Sequence, residues 1–126
     1  MRVFDRLFNR SKRLGDKSTL PWQELTDLNQ LDEIRECSKT KPQLIFKHST
    51  RCGISRTVKR EFEANFLFND EEVNLFYLDL LSYRDISNEI AFRFGIHHES
   101  PQLLIIKNGE VVKHASHGKI IDSIIF

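Results

Sequence analysis

Cys52 stands in Phe46-Lys47-His48-Ser49-Thr50-Arg51-Cys52-Gly53-Ile54-Ser55, between an apolar run and a helix-like segment. A cysteine at such a seam meets the unpaired N–H groups of a helix N-terminus, which favour negative charge. The thiolate is the nucleophilic form of cysteine, and this position lowers a thiol pKa. Between Lys47 and Arg60 the chain carries five cations (Lys47, Arg51, Arg56, Lys59 and Arg60) and no acid. Arg51 adjoins the cysteine and Arg56 follows one turn later, so both are candidates to stabilise a thiolate and to dock an anionic thiol substrate. The competing reading is a buried, inert cysteine beside a solvated basic helix face.

Three segments must position this sulfur. Leu44-Ile45-Phe46 reads as a buried strand within Gln43 to Lys47. The helix after Cys52 carries Ile54, Val58, Phe62 and Phe66 on an apolar stripe. Ser100-Pro101 precedes a further apolar strand, Gln102 to Lys107. Around them, Thr26-Asp27 signals a helix start followed by Leu28, Leu31 and Ile34, with Pro42 beyond its end. Val73 to Asp79 reads as a strand, and Arg84 to Phe94 as a helix with Ile86, Ile90, Ala91 and Phe94 inward and Gly95 as its stop. Asn108-Gly109 is a hairpin turn before a returning strand, Glu110 to Ala115. Ile120 to Phe126 is expected to close the chain as a short apolar helix.

The 126 residues suggest one domain, with 40% hydrophobic and 29% charged residues and a net charge of +1. That balance gives no global field for nucleic acid. Two cysteines do not make a disulfide scaffold. No apolar stretch approaches the ~20 residues of a membrane span, and no signal-peptide pattern stands at the N-terminus. These points place the chain in a reducing cytoplasm. Residues 1–20 read as a basic amphipathic extension and linker, and residues 21–126 as the folded domain. Val3, Phe4, Leu7 and Phe8 share one helical face among Arg2, Arg6 and Arg10, so residues 2–10 could touch a membrane surface or a partner.

Cys37 ends the preceding helix. The intervening strand spans roughly 15 Å at ~3.3 Å per residue, whereas a disulfide needs Cα atoms within about 7 Å. Cys37 is therefore read as a bystander. The five histidines show no zinc-motif spacing, so no metal site is expected. His48 and His98 are instead candidates to tune Cys52.

The element order resembles the thioredoxin plan: an α/β fold with a central mixed sheet flanked by helices, here with an N-terminal extension. In that superfamily the proline before the third main strand is cis and lies beside the active cysteine. The resemblance therefore implies that Ser100 and Pro101 form a substrate-docking turn. Dithiol members read Cys-x-x-Cys, where this chain has Ser55 in the second cysteine position. They also carry a buried aspartate where Phe46 stands and a tryptophan where Arg51 stands. Ser55 is left as a group that hydrogen-bonds the thiolate or caps the helix.

The segment Lys47 to Ser55 resembles the signature of the monothiol bacilliredoxins, the YtxJ-like proteins of the bacillithiol system. Pro21-Trp22, Leu25-Thr26 and Glu99-Ser100-Pro101-Gln102 extend the likeness over residues 21–126. The family commonly has proline where this chain has Gly53. The resemblance implies a cytosolic thiol–disulfide oxidoreductase serving redox homeostasis, which removes bacillithiol from S-thiolated proteins. Cys52 would be the nucleophile, Ser55 would replace the resolving thiol, and no cofactor would be tightly bound. Bacillithiol or another low-molecular-weight thiol would be co-substrate, with its malate group near Arg51 and Arg56. Two alternatives stand beside it. Cys52-Gly53-Ile54-Ser55 is also similar to the Cys-Gly-Phe-Ser of monothiol glutaredoxins, which carry iron–sulfur clusters, though Ala115 to Lys119 lacks their Gly-Gly turn. The other is a catalytically silent interaction domain.

Overall fold

The computed structural model describes residues 20–49, 51, 53–66, 68–69, 71–117 and 119–120. The elements run β1 (Gln23–Glu24), α1 (Asn29–Cys37), β2 (Gln43–His48), α2 (Gly53–Asn65), β3 (Asn74–Asp79), α3 (Arg84–Phe94), β4 (Gln102–Lys107) and β5 (Glu110–Ser116). One five-stranded sheet has the order β1-β3-β2-β4-β5. β1, β3 and β2 are parallel, while β4 runs antiparallel to β2 and β5 antiparallel to β4. This is the mixed sheet expected from the sequence, with β1 as an unforeseen edge.

Strand β2 is central, and all six of its side chains are buried. Its apolar residues divide between the two faces, as a two-residue period requires. Ile45 packs with Leu31 and Ile34 of α1 and Ile86 and Ile90 of α3. Leu44 and Phe46 pack with Val58 and Phe62 of α2. Hence α1 and α3 cover one face and α2 the other.

Several expectations shift in detail. Helix α1 begins at Asn29, not at Thr26-Asp27. Asp27 Oδ1 accepts from the Asn29 N–H at 2.7 Å, while the Gln30 side chain accepts from the Thr26 and Asp27 N–H groups at 2.8 and 3.0 Å. These bonds tie the chain into a turn before the helix. Leu28 is consequently exposed, and so is Ile54, at 63%. Ile54 lies at the start of α2, beyond the reach of the sheet. The apolar stripe of α2 begins effectively at Val58.

The hairpin turn has positive φ at both Asn108 (52°) and Gly109 (82°), the left-handed pair that a two-residue connection needs. Ser38, just past α1, holds it: the Ser38 carbonyl accepts from Asn108 N and its hydroxyl from Gly109 N, both at 2.8 Å. The amphipathic extension over residues 1–19 lies outside the described residues, as does the closing helix beyond Ile120. Ile120 itself is buried against the α2-side core.

Phe62 is fully buried, with its ring centroid 5.6–5.8 Å from those of Phe46 and Trp22. Phe62→Ala should cost about 3–5 kcal/mol of stability. Chemical denaturation should show a lowered midpoint at unchanged slope.

Candidate functional site

The pairing of β2 with β4 brings two of the sequence-predicted site segments to one end of the sheet. Lys47 is opposite Gln102 in the antiparallel register. The carboxyl end of β2, which leads into residues 49–53, therefore lies beside the start of β4, which residues 97–101 enter. The loop carrying Cys52 and the turn carrying Pro101 share one end of the sheet. Cys52 itself lies outside the described residues. Its flanking residues place the following helix at Gly53 and leave Arg51 exposed in the preceding turn.

Ser55, in the first turn of α2, is fully buried. Its Oγ accepts from the Ser49 N–H at 3.2 Å and lies 2.7 Å from His48 Nδ1, in a hydrogen bond whose direction follows the imidazole tautomer. The structure thus brings His48, Ser49 and Ser55 together at the start of α2. His48 also stacks against Tyr77 at 5.5 Å. Burial, with the nearby charges of Lys59 and Arg56, brings its pKa down to about 4 against the pull of Asp79 and Glu63. The ring is neutral at physiological pH and serves as a hydrogen-bonding group.

Behind it sits a cluster that the sequence reading did not assemble. Trp22 Nε1 donates to Glu63 Oε2 at 2.7 Å, and Lys59 Nζ pairs with the same oxygen at 2.7 Å. Lys59 Nζ also lies 5.4 Å from the Trp22 ring centroid and 5.1 Å from that of Tyr77, within cation–π range. The α2 cations are therefore not all solvated. Lys59 is held inward, while Arg56 and Arg60 are exposed. With Gly53, Ile54 and Thr57 they line a shallow hollow of about 520 Å³.

Lys47 departs most from expectation. Counted from the sequence among the cations bordering the thiol, it is completely buried and directed to the α3 side. Its Nζ donates to the Ser87 carbonyl at 3.3 Å and lies 3.3 Å from His98 Nδ1. Its position after the apolar run Leu44-Ile45-Phe46 was the available signal, because a strand buried on both faces hides every residue within it. His98 is placed with Lys47 and Ser87, away from the His48–Ser55 pair.

The Ser100–Pro101 peptide is cis. Pro101 is buried, and the Ser100 Oγ is buried with no hydrogen-bond partner among the described residues. Cys37 is exposed at the end of α1, at the opposite end of β2 from the loop that holds Cys52. Among the described residues no three His, Cys, Asp or Glu side chains are grouped to hold a metal, and no helix is long and apolar enough to cross a membrane.

Comparison with known proteins gives this arrangement its context. The model of the monothiol bacilliredoxin BrxC family matches residues 23–125. The chain belongs to the monothiol bacilliredoxin family. A solved structure described as a candidate oxidoreductase with a thioredoxin fold is 32% identical, with a TM-score of 0.70 over 82% of this chain and 89% of that one. A Malassezia sympodialis thioredoxin (20% identity, TM-score 0.62, 81% and 86% covered) and spinach chloroplast thioredoxin f (16%, 0.60, 82% and 89%) share the fold. This bacilliredoxin-family chain therefore has the thioredoxin fold and a thiol redox role, in the class of thiol–disulfide oxidoreductases.

The low pKa of His48 carries a sign. Below the ordinary histidine value of 6.5 the unfolded chain takes up a proton that the folded ring refuses until about pH 4. Stability should therefore fall as pH drops through this window, by at most roughly 1.4 kcal/mol per unit. His48→Asn should flatten that part of a thermal-melt pH series.

Proposed function

We propose that this protein removes bacillithiol from S-bacillithiolated proteins through a mixed disulfide on Cys52. The observation that carries the reading is Ser55. It occupies the position of a resolving sulfur, buried and bonded to His48 and Ser49, and it cannot form a disulfide. The only other cysteine, Cys37, stands at the far end of β2.

In the first step the Cys52 thiolate attacks the bacillithiol sulfur of a protein–bacillithiol disulfide. The old S–S bond breaks, the protein sulfur leaves as thiolate and takes a proton from solvent, and a Cys52–bacillithiol disulfide forms. A second bacillithiol, as thiolate, then attacks the bacillithiol sulfur of that bond. Cys52 leaves as thiolate, and oxidised bacillithiol departs. Electrons balance at each exchange, and no resident cofactor takes part.

The docking groups follow from placement. Arg56 and Arg60 border the hollow at the start of α2, and Arg51 immediately precedes the nucleophile. Guanidinium groups suit the carboxylates of a malate. Exposed Ile54 offers apolar contact to the protein substrate. At the same end of the sheet, the backbone before the cis Pro101 suits an extended peptide.

Intact mass spectrometry with a bacillithiolated model protein tests this directly. Wild type and Cys37→Ser should gain the bacillithiol mass and free the model protein; Cys52→Ser should do neither. Transfer that survives Cys52→Ser, or no adduct on wild type, sinks the proposal. Arg56→Glu should raise KM for the bacillithiolated substrate about tenfold, equivalent to about 1.4 kcal/mol.

A further inference from the structure

Lys47 is a buried titratable group that the thiol exchange does not use. A fully buried ammonium is expensive unless its protons find acceptors. Its partners among the described residues are the Ser87 carbonyl and His98 Nδ1, each at 3.3 Å. An ammonium has donors only. The His98 Nδ1 must therefore accept, and the ring carries its proton on Nε2. Ser87 Oγ lies 3.2 Å from the same Nδ1, so α3 and β2 converge on one imidazole nitrogen.

Gln102, the cross-strand partner of Lys47, reaches into the same loop. Its Nε2 donates to the His97 carbonyl at 2.9 Å, and its Oε1 accepts from the Glu99 N–H at 3.5 Å. One β2–β4 residue pair thus grips three successive residues, 97, 98 and 99, immediately before the Ser100–Pro101 turn. Gln102 holds backbone and does not titrate, whereas Lys47 holds a side chain that does.

We infer that Lys47 is a positioning residue for the substrate-docking turn, acting through His98, and that protonation of His98 releases this hold. The functional part of the inference rests on the proposed thiol exchange; the structural part does not. Once His98 is protonated, its Nδ1 becomes a donor facing an ammonium 3.3 Å away, with no acceptor between them. Other charged groups face the ring as well. Arg84 of α3 and the neighbouring His97 add to Lys47 in opposing its protonation, and Glu99 favours it. Burial is the largest influence, and the net direction is downward. The hold is therefore intact at neutral pH and lost in acid, below the ordinary histidine range. On the alkaline side the Lys47 pKa is lowered to about 8 by burial, but a neutral amine still donates, so the hold weakens there without reversing.

NMR titration of the full chain tests the structural part without any thiol chemistry. In wild type the amide signals of residues 97–100 and 102 should shift with the same midpoint as the His98 ring. In Lys47→Met, which keeps the length of the stem, the His98 titration midpoint should move up, because one of the charges that opposes its protonation is gone. The kinetic arm reads mixed-disulfide formation on a thiolated peptide between pH 5 and 8. Lys47→Met should raise KM about fivefold at pH 7, the scale of one lost hydrogen bond. Wild type should show a comparable rise only in acid. His98→Asn supplies an acceptor that cannot titrate and should abolish the acid rise. An unchanged His98 midpoint in Lys47→Met, or an acid rise that persists in His98→Asn, overturns the inference. If Lys47→Met does not fold, the wild-type and His98→Asn titrations decide alone. If the chain transfers no thiol, the loss falls on the proposed function, and the coupled amide and ring titrations still decide the structural part.

Discussion

Strand β2 is enclosed on both faces, and the rest of the site follows from that enclosure. An apolar strand in this position would need nothing more. This one carries Gln43, Lys47 and His48 among its six buried residues, and each must find a hydrogen-bond partner inside the protein. Gln43 is met by the Asn74 side chain of β3. Lys47 turns to α3 and the 97–99 loop, and His48 turns to Ser55 of α2. The polar residues at the carboxyl end of the strand therefore tie the sheet to α2, which follows the Cys52 loop, and to the 97–99 loop. Satisfying the core and building the site are, at that end, the same physical problem.

The two histidines show how position decides charge. Both are biased toward the neutral form by burial and by nearby cations, but from opposite sides of the sheet. His48 lies among aromatic rings, with Lys59 locked between Trp22, Tyr77 and Glu63. His98 reaches solvent and meets a lysine from below. A neutral imidazole can accept a proton in a hydrogen bond, which an arginine or lysine at either place could not do. The basic character of the segment from Lys47 to Arg60 is thus divided. Lys47 and Lys59 are internal, and Arg51, Arg56 and Arg60 remain at the surface, beside the thiol loop.

Much of this was legible in the sequence. Arg84–Phe94 and Gln102–Lys107 have the expected limits, because the apolar period is strong in each and Gly95 and Pro101 punctuate them. The Asn108-Gly109 hairpin followed from residue types whose backbone choices are few, and the Ser100–Pro101 turn from the resemblance to the thioredoxin plan. What escaped depends on contacts distant in sequence. β1 is two residues long and has no period to detect. Ile54 continues the apolar stripe of α2 but protrudes past the sheet, so the pattern overstates the buried face. The inward direction of Lys47 is fixed by alternation along a strand whose double-sided burial only the assembled fold reveals. The bond between His48 and Ser55 joins residues seven apart, yet it requires the turn between them to fold back.

The placement of Cys37 has a consequence for how the protein relates to its surroundings. Its second sulfur is stranded at the far end of the central strand from the loop of Cys52. Under the exchange proposed above, the molecule would have nowhere to pass an oxidising equivalent internally, and each encounter would leave it carrying a single foreign thiol until another molecule lifted it off. Its pace would then be set from outside, by the supply of that incoming thiol. The resting proportion of loaded to empty protein would become a running record of how reduced the surrounding pool is.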